Sequence, residues 1–125
     1  MKLSIPAWKA NKYLSLEEIL LAIGDSCKHL YWCLRVFEAS TEPGTDALNE
    51  VNPEKAMSYS NLLNLVTPKL QIIDGEATAG DGNVSSERRV LIRAVDSTSW
   101  DIETNIPDVI TKIRQSFPEA EEIKE

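Results

Sequence analysis

The pattern of apolar positions changes its period along the chain, from a helical spacing in the first third to alternation later. Ser15 is a helix start signal, because a serine can cap free backbone amides and Glu18, three residues on, can complete a capping box. From there, apolar residues recur every three or four positions on one helical face. They are Leu16, Leu20, Ile23, Cys27, Leu30, Leu34 and Phe37. The pattern therefore predicts one long N-terminal helix over residues 16–38, after an N-terminal segment, 1–14.

A long acidic connection separates this helix from a shorter second helix. Its carboxylates are accompanied by no lysine or arginine: Glu38, Glu42, Asp46, Glu50 and Glu54. Few apolar residues and a single sign of charge are typical of solvated chain, so residues 38–52 form no part of the predicted core. Asn52 and Pro53 then supply a cap and a first helical position, and Pro68 ends the second helix.

Alternating apolar residues replace the helical period in the second half of the chain. They predict three strands, at residues 70–77, 89–95 and 100–104. The short connections between them are rich in Gly, Asp, Asn and Ser, which favour turns. We therefore expect neighbouring strands to pair antiparallel as a meander.

Charge and hydrophobicity together predict the register of the last two strands. If Ala94 lies opposite Ile102, the apolar residues of both strands share one face, and Arg93 lies opposite Glu103 on the other. A shift of one residue would place Arg93 beside Ile102. This pairing also requires a loop with an odd number of residues.

A last helix is predicted to begin after Asn105, which can cap it together with Asp108, and Pro118 ends it. The residues that follow, 119–125, are acidic and are expected to fray. Taken in order, these elements predict an α+β fold packed as a single domain over residues 1–125. Its parts are a long N-terminal helix, a shorter second helix, a three-stranded antiparallel β-meander and a C-terminal helix.

The charge balance limits the classes of partner. The chain of 125 residues carries 13 lysines and arginines against 20 aspartates and glutamates, a formal net charge of −7. This average field repels phosphate backbones and anionic lipids, which argues against nucleic acid or a membrane as the main partner. No apolar run approaches the roughly 20 residues of a membrane span, and no basic region followed by an apolar stretch opens the chain. The composition therefore predicts a soluble cytoplasmic protein.

Both cysteines and the only histidine lie in the stretch CKHLYWC, residues 27–33. On a continuous helix, Asp25, His29 and Cys33 would line one row, as a metal site or a thiol nucleophile with its base requires. Cys27 would face the core instead, and the helical rise between the cysteines would be too long for a disulfide. A buried helix accounts for the stretch without chemistry, so we predict no cofactor, metal site or catalytic residue.

Two surface features favour protein binding. Leu21 and Trp32 fall on the polar side of the predicted helix, near Arg35, and tryptophan and arginine are common at the centres of interfaces. The acidic row from Glu38 to Glu54 suits rapid association with a basic partner through electrostatic steering. The interface candidates are Leu21, Trp32, Arg35, Glu38, Glu42, Asp46, Glu50 and Glu54.

The favoured function is a small acidic, non-catalytic protein-binding module, such as an inhibitor or immunity-type protein for a basic partner. One alternative is a homo-oligomeric structural protein, most simply a homodimer, in which Leu21 and Trp32 meet a second copy. The other is a small enzyme or ligand binder that uses Asp25, His29 and Cys33.

Overall fold

The computed structural model describes residues 1–39, 52, 55–66, 72–81, 88–96 and 98–123. Within these ranges the chain forms a seven-stranded sheet, a two-stranded sheet and three helices. The helices are α1 (Leu16–Cys27), α2 (Tyr59–Val66) and α3 (Pro107–Ser116). The strands are β1 (Lys2–Pro6), β2 (Trp8–Lys9), β3 (Lys12–Tyr13), β4 (Tyr31–Ala39), β5 (Met57–Ser58), β6 (Ile72–Gly80), β7 (Arg88–Val95), β8 (Ser99–Thr104) and β9 (Glu121–Glu122).

The large sheet runs in the order β5-β4-β6-β7-β8-β1-β9, and every neighbouring pair is antiparallel. The helices pack over one face of it, where alternate strand side chains are buried with residues of all three helices in one core. These strand residues are Leu3, Ile5, Trp32, Leu34, Ile72, Ala77, Ala79, Val90, Ile92, Ala94, Trp100 and Ile102. The opposite face, called here the outer face, carries half-buried and exposed side chains: Tyr31, Cys33, Arg35, Glu76, Thr78, Leu91, Arg93, Asp101 and Glu103. One covered and one solvated face is common for an antiparallel sheet.

The prediction of one long N-terminal helix is wrong. The capping box is present, with the Glu18 amide and the Ser15 side chain 3.4 Å apart and the Ser15 amide 2.9 Å from the Glu18 carboxylate. However, α1 ends at Cys27, and the chain returns as β4. Residues 31–37 contain mostly aromatic and β-branched side chains, which suit a pleated strand better than a helix. Their alternate side chains fit the sheet, since Trp32 and Leu34 face the core.

The rest of the predicted layout is also corrected, because the fold is mostly sheet. The three predicted strands correspond to β6, β7 and β8, but β4 and β5 extend the sheet on one side and β1 and β9 on the other. The second helix starts at Tyr59, after a strand, rather than at Asn52 and Pro53. Pro53 and Pro68 lie outside the described residues. Although the tail was expected to fray from residue 119, β9 pairs with β1.

The register of β7 and β8 differs from the predicted one by two residues. Ala94 lies opposite Trp100 and Arg93 opposite Asp101. The loop between the strands, 96–98, has an odd number of residues, and the apolar side chains share one face as expected. A shift of two preserves both properties, so neither could distinguish the two registers.

The start of α3 differs in detail from the predicted cap. Ile106 occupies the N-cap position and has no capping side chain, whereas Asn105 precedes it. Thr104 stabilises the start of α3 instead, because its hydroxyl accepts a hydrogen bond of 3.1 Å from the amide of Ile106.

Candidate functional site

The cluster of reactive residues predicted on one helix is divided by the fold. Asp25 lies on α1 and makes ion pairs with Lys28 at 3.8 Å and with Lys112 of α3 at 3.9 Å. His29 lies exposed in the turn after α1. Cys33 faces the other way, on the outer face of the sheet, opposite Thr78 of β6. Because the sheet separates Cys33 from the helices, these three side chains do not form the proposed catalytic or metal-binding row.

No metal centre is formed within the described ranges, where no three histidine, cysteine, aspartate or glutamate side chains come together as ligands would. The two cysteines are free thiols. Cys27 is fully buried, and its thiol donates a hydrogen bond of 3.3 Å to the carbonyl oxygen of Ile23. Burial raises the pKa of this thiol to about 12, with a smaller opposing effect from Lys112. A thiol held protonated in this way is a poor nucleophile.

Trp32, predicted on the polar side of a helix, is a core residue that the chain itself buries. Its exposed fraction is 0%. It faces the helices from β4, between Ala79 of β6 and Met57 of β5, with its ring 6.5 Å from that of Tyr59 in α2. The indole Nε1 has no hydrogen-bond partner among the described residues. The sheet and α2 therefore cover the side chain that, on a helix, would have lain on the polar side.

Leu21 is the predicted interface residue that lies exposed on a helix. It has an exposed fraction of 59%, whereas the other leucines and isoleucines of α1 are buried. Among the described residues it is the only exposed leucine, isoleucine or valine. Helical spacing places Glu17 and Glu18 one turn before it and Asp25 one turn after it. We call Glu18, Leu21 and Asp25 the α1 surface.

Arg35 and Glu38 belong to a second surface, on β4. Both are exposed, and their strand partners on β6 are Glu76 and Asp74. The remaining acidic candidates, Glu42, Asp46, Glu50 and Glu54, lie outside the described residues.

Sequence reasoning missed the hairpin of β2 and β3. Trp8, 47% exposed, packs on Tyr13 with ring centroids 5.3 Å apart. Ala10 and Asn11 between the strands have φ of 51° and 66°, as a two-residue type I′ turn requires. The usual signal for such a turn is Asn-Gly or Asp-Gly, and Ala-Asn lacks the glycine.

A shallow cleft of about 230 Å³ lies at one end of β7 and β8. Its polar lining includes Arg88, Arg89 and Glu103, and Arg89 already forms an ion pair with Asp81 at 3.2 Å. Glu103 and the Arg89–Asp81 ion pair offset part of the basic charge of the cleft, and its lining does not define a class of ligand.

The observed architecture is a seven-stranded antiparallel sheet with three helices on one face and an acidic α1 surface around Leu21. None of the helices among the described residues is long and apolar enough to cross a lipid bilayer. Comparison of the chain with protein-family models, with curated proteins and with solved structures gives no match. A function is therefore argued from the surface alone.

Proposed function

We propose that this chain is a small, acidic, non-catalytic protein-binding module that binds a basic partner, in the manner of an inhibitor or immunity-type protein. The observation that carries the proposal is the exposure of Leu21 between carboxylates on α1. Burying one leucine in a partner's pocket gains about 1.5–3 kcal/mol, and the surrounding charges select which pockets are acceptable.

The carboxylates around Leu21 favour a partner whose binding pocket is surrounded by lysine or arginine side chains. Side chains of Asp25 and Glu18 are 84% and 26% exposed, and their ion pairs with Lys28 and Lys12 are long, at 3.8 and 3.7 Å. Loose surface pairs of this kind contribute little to stability, so lysines or arginines of a partner can compete for the carboxylates. The net charge of −7 adds long-range attraction for such a partner.

Affinity capture with matched variants tests the proposal. The full chain, Leu21→Ala and Gln115→Ala are immobilised and exposed to extract of the source organism. Gln115 is an exposed residue of α3 and serves as the control. We expect the unchanged chain and Gln115→Ala to retain the same basic protein, Leu21→Ala to lose it, and retention to weaken as salt rises.

The outcome that overturns the proposal is equally specific. Retention of acidic or neutral proteins only would remove the electrostatic argument. Equal retention of a basic protein by Leu21→Ala and the unchanged chain would remove Leu21 from the interface.

A further inference from the structure

Strand β1 lies between one long neighbour and one short neighbour. β8 pairs with all five of its residues, whereas β9 pairs only with Leu3 and Ser4. The chain reaches β9 by a turn after α3, where the Ala120 amide donates a hydrogen bond of 2.9 Å to the carbonyl oxygen of Phe117. We call the segment that covers this side of β1, residues 119–123, the strap.

Among the described residues, few interactions hold the strap on β1. Besides the two paired residues, the Ile123 amide donates a hydrogen bond of 2.8 Å to the carbonyl oxygen of Lys2. Ala120 packs half-buried against the core, and both glutamates of β9 are exposed. A segment with so few buried contacts opens locally at a lower free energy than the whole domain.

β1 itself is held more firmly than the strap. Leu3 and Ile5 belong to the core and have exposed fractions of 1% and 0%. The ladder between β1 and β8 continues over five residues without a shift in register. The strap can therefore leave while β1 remains paired with β8.

Opening of the strap exposes a short and regular strand edge. In an antiparallel strand, alternate residues direct their backbone groups to opposite neighbours. Met1 exchanges two backbone hydrogen bonds of 3.0 Å with Thr104, which follows β8 pairing on from β1, so Lys2 and Ser4 direct their backbone groups towards the strap. Pro6, the next residue on that side, has no N–H group and limits the edge.

The charges of the strap define what the edge accepts. Three of its five residues are glutamates, and two of these, Glu119 and Glu122, make ion pairs of 3.7 and 4.0 Å with Lys9 and Arg114. Long surface pairs contribute little to stability, so carboxylates of another strand can replace those of the strap. Backbone pairing then provides binding, and the two basic side chains favour an acidic sequence.

We propose that the strap is an autoinhibitory segment, and that the edge of β1 beneath it binds an extended acidic peptide by antiparallel strand addition. The peptide binds only the open form, so its apparent affinity is the intrinsic affinity reduced by the fraction of molecules that are open. The edge shares no residue with the α1 surface and prefers the opposite charge.

A proline in the strap tests the proposal in the full chain. Ile123→Pro removes the amide that bonds to Lys2 and leaves the residues of β1 and β8 unchanged. Ile123→Val keeps this amide and is the matched control. The probe is a fluorescein-labelled peptide with the sequence of residues 117–123, FPEAEEI, and its binding is measured by fluorescence anisotropy.

We expect the peptide to bind Ile123→Pro at least about five-fold more tightly than it binds the unchanged chain or Ile123→Val, because the open fraction is larger. A peptide with glutamine in place of all three glutamates should bind more weakly. Binding of the acidic peptide should also weaken as salt rises.

Amide hydrogen exchange measures the opening without the peptide. In Ile123→Pro the Ser4 amide, which faces the strap, should exchange at least about ten-fold faster than in Ile123→Val. The Ile5 amide faces β8 and should keep its rate. Circular dichroism and thermal unfolding show whether each variant is folded.

Four results overturn the proposal. They are equal Ser4 exchange in the two variants, equal peptide affinity in the two variants, equal binding of the acidic and glutamine peptides, and failure of Ile123→Pro to fold. The last result would show that the strap belongs to the cooperative core. Leu21→Ala should bind the peptide like the unchanged chain, so failure of the strap and failure of the proposed partner binding are separate results.

Discussion

The hydroxyl of Tyr59 packs directly against Gly24, and this contact joins α2 to α1. Tyr59 donates a hydrogen bond of 2.6 Å to the carbonyl oxygen of Leu20, and a Cβ atom at position 24 would lie 2.6 Å from its oxygen. The same tyrosine ring packs near Trp32 of β4. Because Gly24 has no side chain, the Tyr59 side chain can approach α1 closely, and its ring then helps to cover Trp32.

Gly24→Ala is expected to destabilise the protein by about 1–3 kcal/mol, although alanine is the better helix former by about 1 kcal/mol. The new methyl group must displace the Tyr59 hydroxyl from Leu20. Urea unfolding measures the difference in the free energy of unfolding.

Tyr59→Phe provides the control, because without the hydroxyl the nearest ring atom, Cζ, is 3.2 Å from the added Cβ. The cost of Gly24→Ala should therefore be smaller in the Tyr59→Phe background than alone. An equal cost in both backgrounds would show that the contact does not determine the effect.

Cys27 should make the protein sensitive to alkaline pH. Burial raises the pKa of its thiol from 9.0 to about 12, so the folded state binds this proton more tightly than the unfolded state. The protonated Cys27 thiol therefore contributes to the free energy of unfolding in full below pH 9. This contribution decreases as pH rises towards 12, by about 1.4 kcal/mol per pH unit for one proton.

Cys27→Ser is expected to reduce this loss, since serine does not titrate in that range. The measurement is the free energy of unfolding in urea between pH 7 and about pH 11. Cys33→Ser keeps Cys27 and should retain the full alkaline loss, while Tyr13 and Tyr59, whose pKa values are also raised by burial, contribute in every variant. Identical pH profiles for both serine variants would refute the assignment to Cys27.

The end of α1 shows where sequence reasoning reached its limit. The capping box at Ser15 was predicted correctly because it is a local arrangement. The helical spacing that continues through Leu30 and Leu34 is compatible with a strand as well, since residues two or four apart share a face of a sheet. What determines the outcome is the pairing of β4 with β6, forty residues later, which has no local signal.

The candidate site was affected by the same misassignment. Asp25, His29 and Cys33 are neighbours only if the helix continues, and Trp32 is on a polar side only in that geometry. The strands β6, β7 and β8 lie near the predicted segments because alternation between turn-forming segments is a strong pattern, although β6 runs from Ile72 to Gly80 rather than over 70–77. The register between β7 and β8 was not predicted correctly. Two registers that differ by two residues place opposite charges across from each other and apolar side chains on one face equally well.

Ala10 is expected to be a position where glycine stabilises the protein. Its φ of 51° lies in the left-handed region, which costs a residue with a Cβ about 1–2 kcal/mol. Ala10→Gly should raise the thermal midpoint, because relief of this strain exceeds the entropy that glycine loses on folding. Ala22→Gly within α1 is the matched control and should lose about 1 kcal/mol. A fall in stability for both substitutions would contradict the strained turn.

Thr104 is expected to be more important than Asn105 for the junction between β8 and α3. Its buried hydroxyl donates to the carbonyl oxygen of Arg89 at 2.8 Å and accepts from the Ile106 amide at 3.1 Å. Thr104→Val keeps the shape and removes both hydrogen bonds, so unfolding in urea should show a loss of about 1–3 kcal/mol.

Two further variants separate the hydroxyl from the rest of the junction. Thr104→Ser retains the hydroxyl and loses one methyl group, so it should cost only about 0.8 kcal/mol. Asn105→Ala should change stability by less than about 0.5 kcal/mol, because Asn105 is exposed and is not the N-cap. If Asn105→Ala instead cost about 1 kcal/mol and Thr104→Val were neutral, the helix would be capped by Asn105, as the sequence alone indicates.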